Sequence, residues 1–150
     1  MLARPFRRRV QALLALPLMV LGAVAVLPGE ASAAKWYCNP RCDYKDPSSY
    51  PPAGPCADDA VTIYTLTHSG RTLQLRYSNN CETVWGRLYG GQKNDIVILE
   101  RDGNPNTVDW EYFPPANEWT PMLDDHNHTI RACLQWDWAS NTRVGCTGAY

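Results

Sequence analysis

The sequence predicts an all-β fold, a small barrel or sandwich of about six antiparallel strands braced by disulfides, following a cleaved signal peptide. Three observations carry this. Apolar and polar residues alternate with period two across Leu73–Tyr77, Thr107–Phe113 and Thr129–Trp138, the pattern of strands with one buried face. Gly, Asn, Asp and Pro punctuate the chain at short intervals between such runs. Cys38, Cys42, Cys56, Cys81, Cys133 and Cys146 all lie in the part expected to be exported, and an even count there reads as three disulfides.

Residues 1–33 read as the signal. Arg4, Arg7, Arg8 and Arg9 form a positive n-region, Val10–Leu27 an apolar h-region, and Ala31-Ser32-Ala33 an A-x-A cleavage site. Arg8-Arg9 raises the twin-arginine route, but the residues that follow match it only in part, so the general secretory route is expected. The apolar run is long enough to suggest an anchor, yet Pro17, Pro28 and Gly29 favour cleavage, and no membrane association is expected afterwards. Cleavage takes four arginines and Glu30, leaving ten basic and fourteen acidic residues, a net charge of −4. No Lys/Arg run survives, which excludes binding to a phosphate backbone, so nucleic acid is not an expected partner.

What remains, 34–150, is expected to be one compact unit. Residues 34–60 are rich in Cys, Pro and Asp and lack hydrophobic period, so they read as an ordered loop pinned by cysteines, with the β domain occupying 61–150. Val61–Thr67 is rich in β-branched and aromatic residues and reads as the first strand. Ser69-Gly70-Arg71 turns it into Thr72–Tyr77. Ser78-Asn79-Asn80 turns again, because Asn tolerates positive φ and closes Asx-turns, and Val84–Tyr89 returns. Asn94–Glu100 is a nearly continuous apolar run, expected to be a central strand. Asp102-Gly103-Asn104 is a strong hairpin signal leading into Thr107–Phe113. Pro114-Pro115 ends that strand, 117–127 reads as loop, and Thr129–Trp138 closes the set.

Fifteen cysteine pairings are open. The arrangement expected is Cys42–Cys56 and Cys81–Cys133 within the core, with Cys38–Cys146 joining the ends.

Few residues suggest chemistry. His126 and His128, two apart on an extended segment, project to one face, so with Asp124 (or His68) they are the candidate metal ligands. A polar loop accounts for the same residues, and no metal or other cofactor is expected. Asp43, Asp46, Asp58 and Asp59 contain enough carboxylate for calcium but lack EF-hand spacing. The preferred reading gives Asp58 and Asp59 to Arg76 and Arg87 as structural ion pairs. No G-x-S-x-G elbow occurs, and oxidised cysteines offer no thiolate, so no catalytic residue is assigned. Aromatic residues are more numerous than a core this small can hold. Trp85 and Trp136 are expected inside, while Trp36, Tyr37, Trp110, Trp119 and Trp138 are candidates for an exposed binding patch.

LRYSNNC at 75–81 followed by Trp85-Gly86-Arg87 resembles the signature of the DUF2690 (YjfA-like) family of small secreted bacterial domains. The resemblance extends upstream to Cys42-Asp43-Tyr44-Lys45-Asp46-Pro47 and Cys56–Thr62. Downstream it continues at Thr120-Pro121-Met122, Arg131-Ala132-Cys133 and Cys146-Thr147. The family pattern carries Gly where Tyr44 sits and Ala where Gly86 sits. Its function is unknown, so no catalytic residues carry over. The function expected is therefore a secreted, non-catalytic binding domain, a protein-interaction or adaptor subunit of an extracellular assembly with a secreted or cell-surface protein partner. In that reading the Ala34–Tyr37 arm adds a strand to a partner's sheet edge. The alternatives are a cell-wall or carbohydrate-binding module and, less favoured, a small hydrolase.

Overall fold

The computed structural model describes residues 41–52, 54–111, 118–137 and 139–150. The expected signal segment 1–33, the 34–37 arm and Cys38 lie outside the described residues. Among those described there is no helix, and nine strands form two sheets. The strands are β1 (Val61–His68), β2 (Arg71–Ser78), β3 (Thr83–Tyr89), β4 (Ile96–Arg101), β5 (Asn104–Glu111), β6 (Glu118–Trp119), β7 (Leu123–Asp124), β8 (Ile130–Gln135) and β9 (Arg143–Cys146). One sheet has the order β1-β2-β3-β6, with β7 also on β3; the other runs β5-β4-β8-β9. All ladders are antiparallel.

The turns are where local chemistry set them. Ser69-Gly70 and Asp102-Gly103 join strands whose flanking residues pair directly, His68 with Arg71 and Arg101 with Asn104. Both central residues of each turn have positive φ, the mirror-image geometry that suits the right-handed strand twist.

The inner faces of the two sheets share the main core. Leu73, Leu75, Val84 and Leu88 meet Val97, Leu99, Val108, Ile130, Ala132 and Leu134, which makes the fold a sandwich. β4 lies between β5 and β8 with both faces buried, as its unbroken apolar run requires. At Gly86 the sheets leave no room for a side chain: a Cβ there would stand 2.8 Å from Val97 Cγ1.

Three short strands, β6, β7 and β9, were not legible as strands, and two expected ends moved. β8 stops at Gln135 rather than Trp138. A register shift follows Leu134, and the Asp137 carboxylate then accepts the Ser140 N–H at 2.6 Å, starting a turn that brings β9 back. β5 begins at Asn104 because the two-residue turn leaves no slack before it.

The disulfide arrangement also differs from expectation. Cys56 bonds Cys81 and Cys133 bonds Cys146, while Cys42 is disulfide-bonded as well. Cys133 and Cys146 are direct cross-strand partners in the β8–β9 ladder, a register the sequence could not reveal because β9 was not recognised.

Candidate functional site

One exposed feature is a sheet edge. β1 is the terminal strand of its sheet, and among the described residues no strand pairs with its outer side. Its eight residues, VTIYTLTH, contain no Lys, Arg, Asp, Glu or Pro. Ile63 and Leu66 pack on the core, the Tyr64 ring lies against Gly148, and Val61 and Tyr64 are still 54% and 41% exposed. A bulge between Thr62 and Tyr64 interrupts the first turns of the ladder, leaving Tyr64–His68 in regular register. Among the described strands the other edges are blunted: β5 carries Pro105, β9 is four residues long, and β6 and β7 have two each.

The loop before β1 straps the outer face of the same sheet. Cys42, Cys56 and Cys81 gather around Trp85 and Met122 in a second, smaller core, with Trp119 and Tyr50 packed against it. Asp43 Oδ1 accepts from Arg101 Nη2 at 2.6 Å and from the Asp124 N–H at 2.7 Å, fixing the strap to β4 and β7. Asp46 accepts from Ser48 and, at 3.0 Å, from the Trp119 indole N–H. Burial alone would raise the Asp46 pKa, but the Ser48 and Trp119 hydrogen bonds outweigh it and hold the carboxyl below its ordinary value.

The expected ion pairs of Arg76 and Arg87 with Asp58 and Asp59 do not form. Asp59 accepts from the Ser78 hydroxyl at 2.5 Å and the Asn80 N–H at 2.9 Å, because Ser78 and Asn80 flank the turn beneath it. Arg76 donates to Thr62 Oγ1 at 2.7 Å and the Ala60 carbonyl at 2.6 Å, and so ties down the start of β1. Arg87 lies 4.7 Å from the Tyr89 ring centre and 5.3 Å from that of Trp119, its Nε buried without a hydrogen-bond partner. Ring faces replace the carboxylate there.

The histidines diverge. His126 Nδ1 is 3.4 Å from Glu82 Oε2, whereas His128 Nδ1 is 2.6 Å from Asp102 Oδ2. Asp124 is buried and accepts the His126 backbone N–H at 3.2 Å. The Thr129 N–H and the His128 ring hold the Asp102 carboxyl below its usual range. Beside Glu82 and Asp124, the half-buried Asp125 is pushed up to about 6, first by burial and then by those neighbouring carboxylates. Tyr77, whose ring centre is 4.9 Å from that of Tyr150, is raised to about 12, chiefly by burial, with Asp125 adding to it. Of the four acids considered for calcium, Asp43, Asp46 and Asp59 each serve different N–H and O–H donors, and among the described residues no three of the four gather their oxygens in one place.

On the outer face of the other sheet, Glu100 lies opposite Arg131 in the β4–β8 ladder and only 2% of its side chain is exposed. Arg131 Nε donates to Glu100 Oε2 at 2.5 Å, and Arg143 Nη1 donates to Oε1. Among the described residues, the set of three candidate ligand atoms within 4.8 Å of one another is Glu100 with Cys133 and Cys146, but those two sulfurs are bonded to each other.

Of the expected aromatic patch, Trp119 is partly buried with its indole N–H and one ring face engaged. Trp36, Tyr37 and Trp138 and the side chain of Trp110 lie outside the described residues. Trp85 is buried as expected; Trp136 is only partly so, with the Arg71 guanidinium 4.3 Å from its ring centre. Sequence reasoning missed Glu100, Arg131 and Arg143. The signal available was a single acid ending an apolar strand, with an arginine on the polar face of the next recognised one.

The family model described as "Protein of unknown function (DUF2690)" matches residues 41–133, and the chain belongs to that family. The matched span runs from the strap through Cys133 and leaves β9 and Cys146 beyond it. No curated protein and no solved structure matches the chain.

Proposed function

We propose that this DUF2690 protein is an extracellular, non-catalytic binding domain, exported through residues 1–33, whose partner is a secreted or cell-surface protein that adds a strand to β1. The single observation that supports this is the bare outer edge of β1. Native sheets guard long edges with charge, proline or cover, because unpaired backbone groups invite another chain. Among the described edge strands, β5 carries a proline and the others are short, whereas β1 has neither charge nor proline and is interrupted only by the bulge at Thr62–Tyr64. Strand addition draws affinity from main-chain hydrogen bonds and specificity from alternate side chains, here those around the exposed Val61 and Tyr64. The strap and its disulfide support the reading too, since they stiffen the sheet that presents the edge.

The test is affinity purification of the tagged mature chain from culture supernatant, beside a Thr65→Lys/Thr67→Lys variant. Both threonines are exposed, so the fold is retained while the edge acquires the charge that natural edges use. A stoichiometric partner bound by the wild type and lost by the variant is expected; a partner bound equally by both refutes strand addition. Retention on peptidoglycan that disappears with Trp119→Ala would favour the cell-wall alternative instead, and turnover of a substrate would overturn both.

A further inference from the structure

We propose that Arg131 and Arg143, held by Glu100, form a carboxylate-binding site on the outer face of the β5-β4-β8-β9 sheet. A cavity of about 250 Å³ opens beside Arg131, lined by Glu100, Gly103, Thr129, Arg131 and Ala149; Arg143 is not in its lining and contributes its charge through the other oxygen of Glu100. Glu100 is almost wholly buried, and each of its oxygens is taken by a different arginine. A buried carboxylate needs a partner, and one arginine would neutralise it. The second leaves the group with a charge of +1.

The arginines are not consumed by this pairing. Arg131 commits only its Nε and Arg143 only its Nη1, and among the described residues their other guanidinium N–H groups bond nothing. None of these is among the buried unpaired atoms, and the two side chains are 45% and 37% exposed. Glu100 is thus a positioning residue. It fixes two otherwise flexible side chains, so that less rotamer entropy is lost when a ligand arrives.

The geometry points to a planar monoanion. A guanidinium presents parallel N–H groups that match a carboxylate. Thr129 and the small residues Gly103 and Ala149 leave room beside the arginine for the atoms carrying that carboxylate. A phosphate dianion fits less well, because the site offers one net positive charge and the Asp102 carboxylate, which accepts the Thr129 N–H at 2.9 Å, stands next to it. The carboxylate has two sources, the C-terminus of a peptide or the side chain of an Asp or Glu. The site is on the sheet opposite β1 and does not depend on strand addition there.

The experiment is an NMR titration of the mature, disulfide-intact chain, following backbone amides and the arginine Nε–H signals. The probes are N-acetyl-Ala-Ala with a free C-terminus, the same peptide amidated, N-acetyl-Asp amide, and inorganic phosphate. Saturable shifts of Arg131 and Thr129 with a carboxylate probe, in roughly the millimolar range, and none with the amidated Ala-Ala peptide, are expected. Response to the free C-terminus alone identifies a terminal carboxylate, and response to N-acetyl-Asp amide identifies a side chain. Arg131→Lys keeps a cation against Glu100 but loses the fork, and should weaken binding about tenfold or more. Arg143→Gln should do the same, with thermal unfolding as the check that each variant folds. Equal shifts with the amidated peptide or with phosphate, or unchanged affinity in Arg131→Lys and Arg143→Gln, overturn the assignment.

Discussion

Cys56 is bonded to Cys81 with their Cα atoms 5.7 Å apart, which rivets the strap before β1 to the turn between β2 and β3. The bond closes the second core over Trp85, so it does more than shorten the unfolded chain. With its ends 25 positions apart in sequence, the chain-entropy model assigns it about 3–4 kcal/mol. Replacing both cysteines by alanine should cost at least that in urea unfolding and should also change the near-ultraviolet circular dichroism of Trp85. Removing Cys133 and Cys146, separated by 13, should cost about 3 kcal/mol and leave the Trp85 signal in place. Equal spectral effects from the two pairs would show that the strap does not depend on its bridge.

Tyr44 has φ of 63° on the exposed side of the strap, a conformation that disfavours any side chain. The family pattern carries Gly there, and glycine adopts this region without steric cost. Tyr44→Gly should therefore stabilise the fold by about 0.5–1 kcal/mol, although the freer unfolded chain offsets part of the gain. A lower melting temperature than wild type would mean that the exposed ring makes a contact worth more than the backbone strain.

Gly86 is buried between the sheets, and an added methyl group would meet Val97 Cγ1 at 2.8 Å and Thr120 Cγ2 at 3.4 Å. Gly86→Ala is expected to destabilise by about 1–3 kcal/mol through overpacking. In combination with Val97→Ala the two costs should be less than additive, because the second change removes the clashing atom. Strict additivity in a double-mutant cycle would contradict a direct clash.

Burial, with the Asp124 and Glu82 carboxylates beside it, pushes the Asp125 pKa up to about 6 in the folded state, above the ordinary aspartate value. Raising an acid's folded pKa means that the folded state holds the proton more tightly than the unfolded state. Its contribution is therefore most favourable below about 4, declines as pH rises from there to about 6, and is flat above. Asp125→Asn removes the ionisation and should stabilise the protein at neutral pH. That advantage should shrink between pH 6 and 4. A wild-type minus variant difference that ignores pH across this window would place Asp125 in contact with solvent.

Much of the fold was open to sequence reasoning because it is set by neighbours along the chain. The alternation in Leu73–Tyr77, the Asp102-Gly103 turn and the apolar run at Ile96–Leu99 each specify their own element. β9 was hidden for the opposite reason: Arg143–Cys146 has too few residues to show a period and becomes a strand only by pairing with β8. The same limit applied to charge. Asp59 and Arg76 are complementary, yet each found a nearer partner among hydroxyl and backbone groups that only the folded turn supplies.

Composition and local pattern thus determined, without help, that this chain forms antiparallel strands and that the described cysteines are oxidised. The tertiary structure alone decided which cysteines meet, which edge stays bare, and that Glu100 draws in two arginines from separate strands. Periodicity and turn propensity act over a few residues, whereas a disulfide, an edge or a shared carboxylate depends on register between strands distant in sequence, and that register is fixed only when the two sheets close on one core.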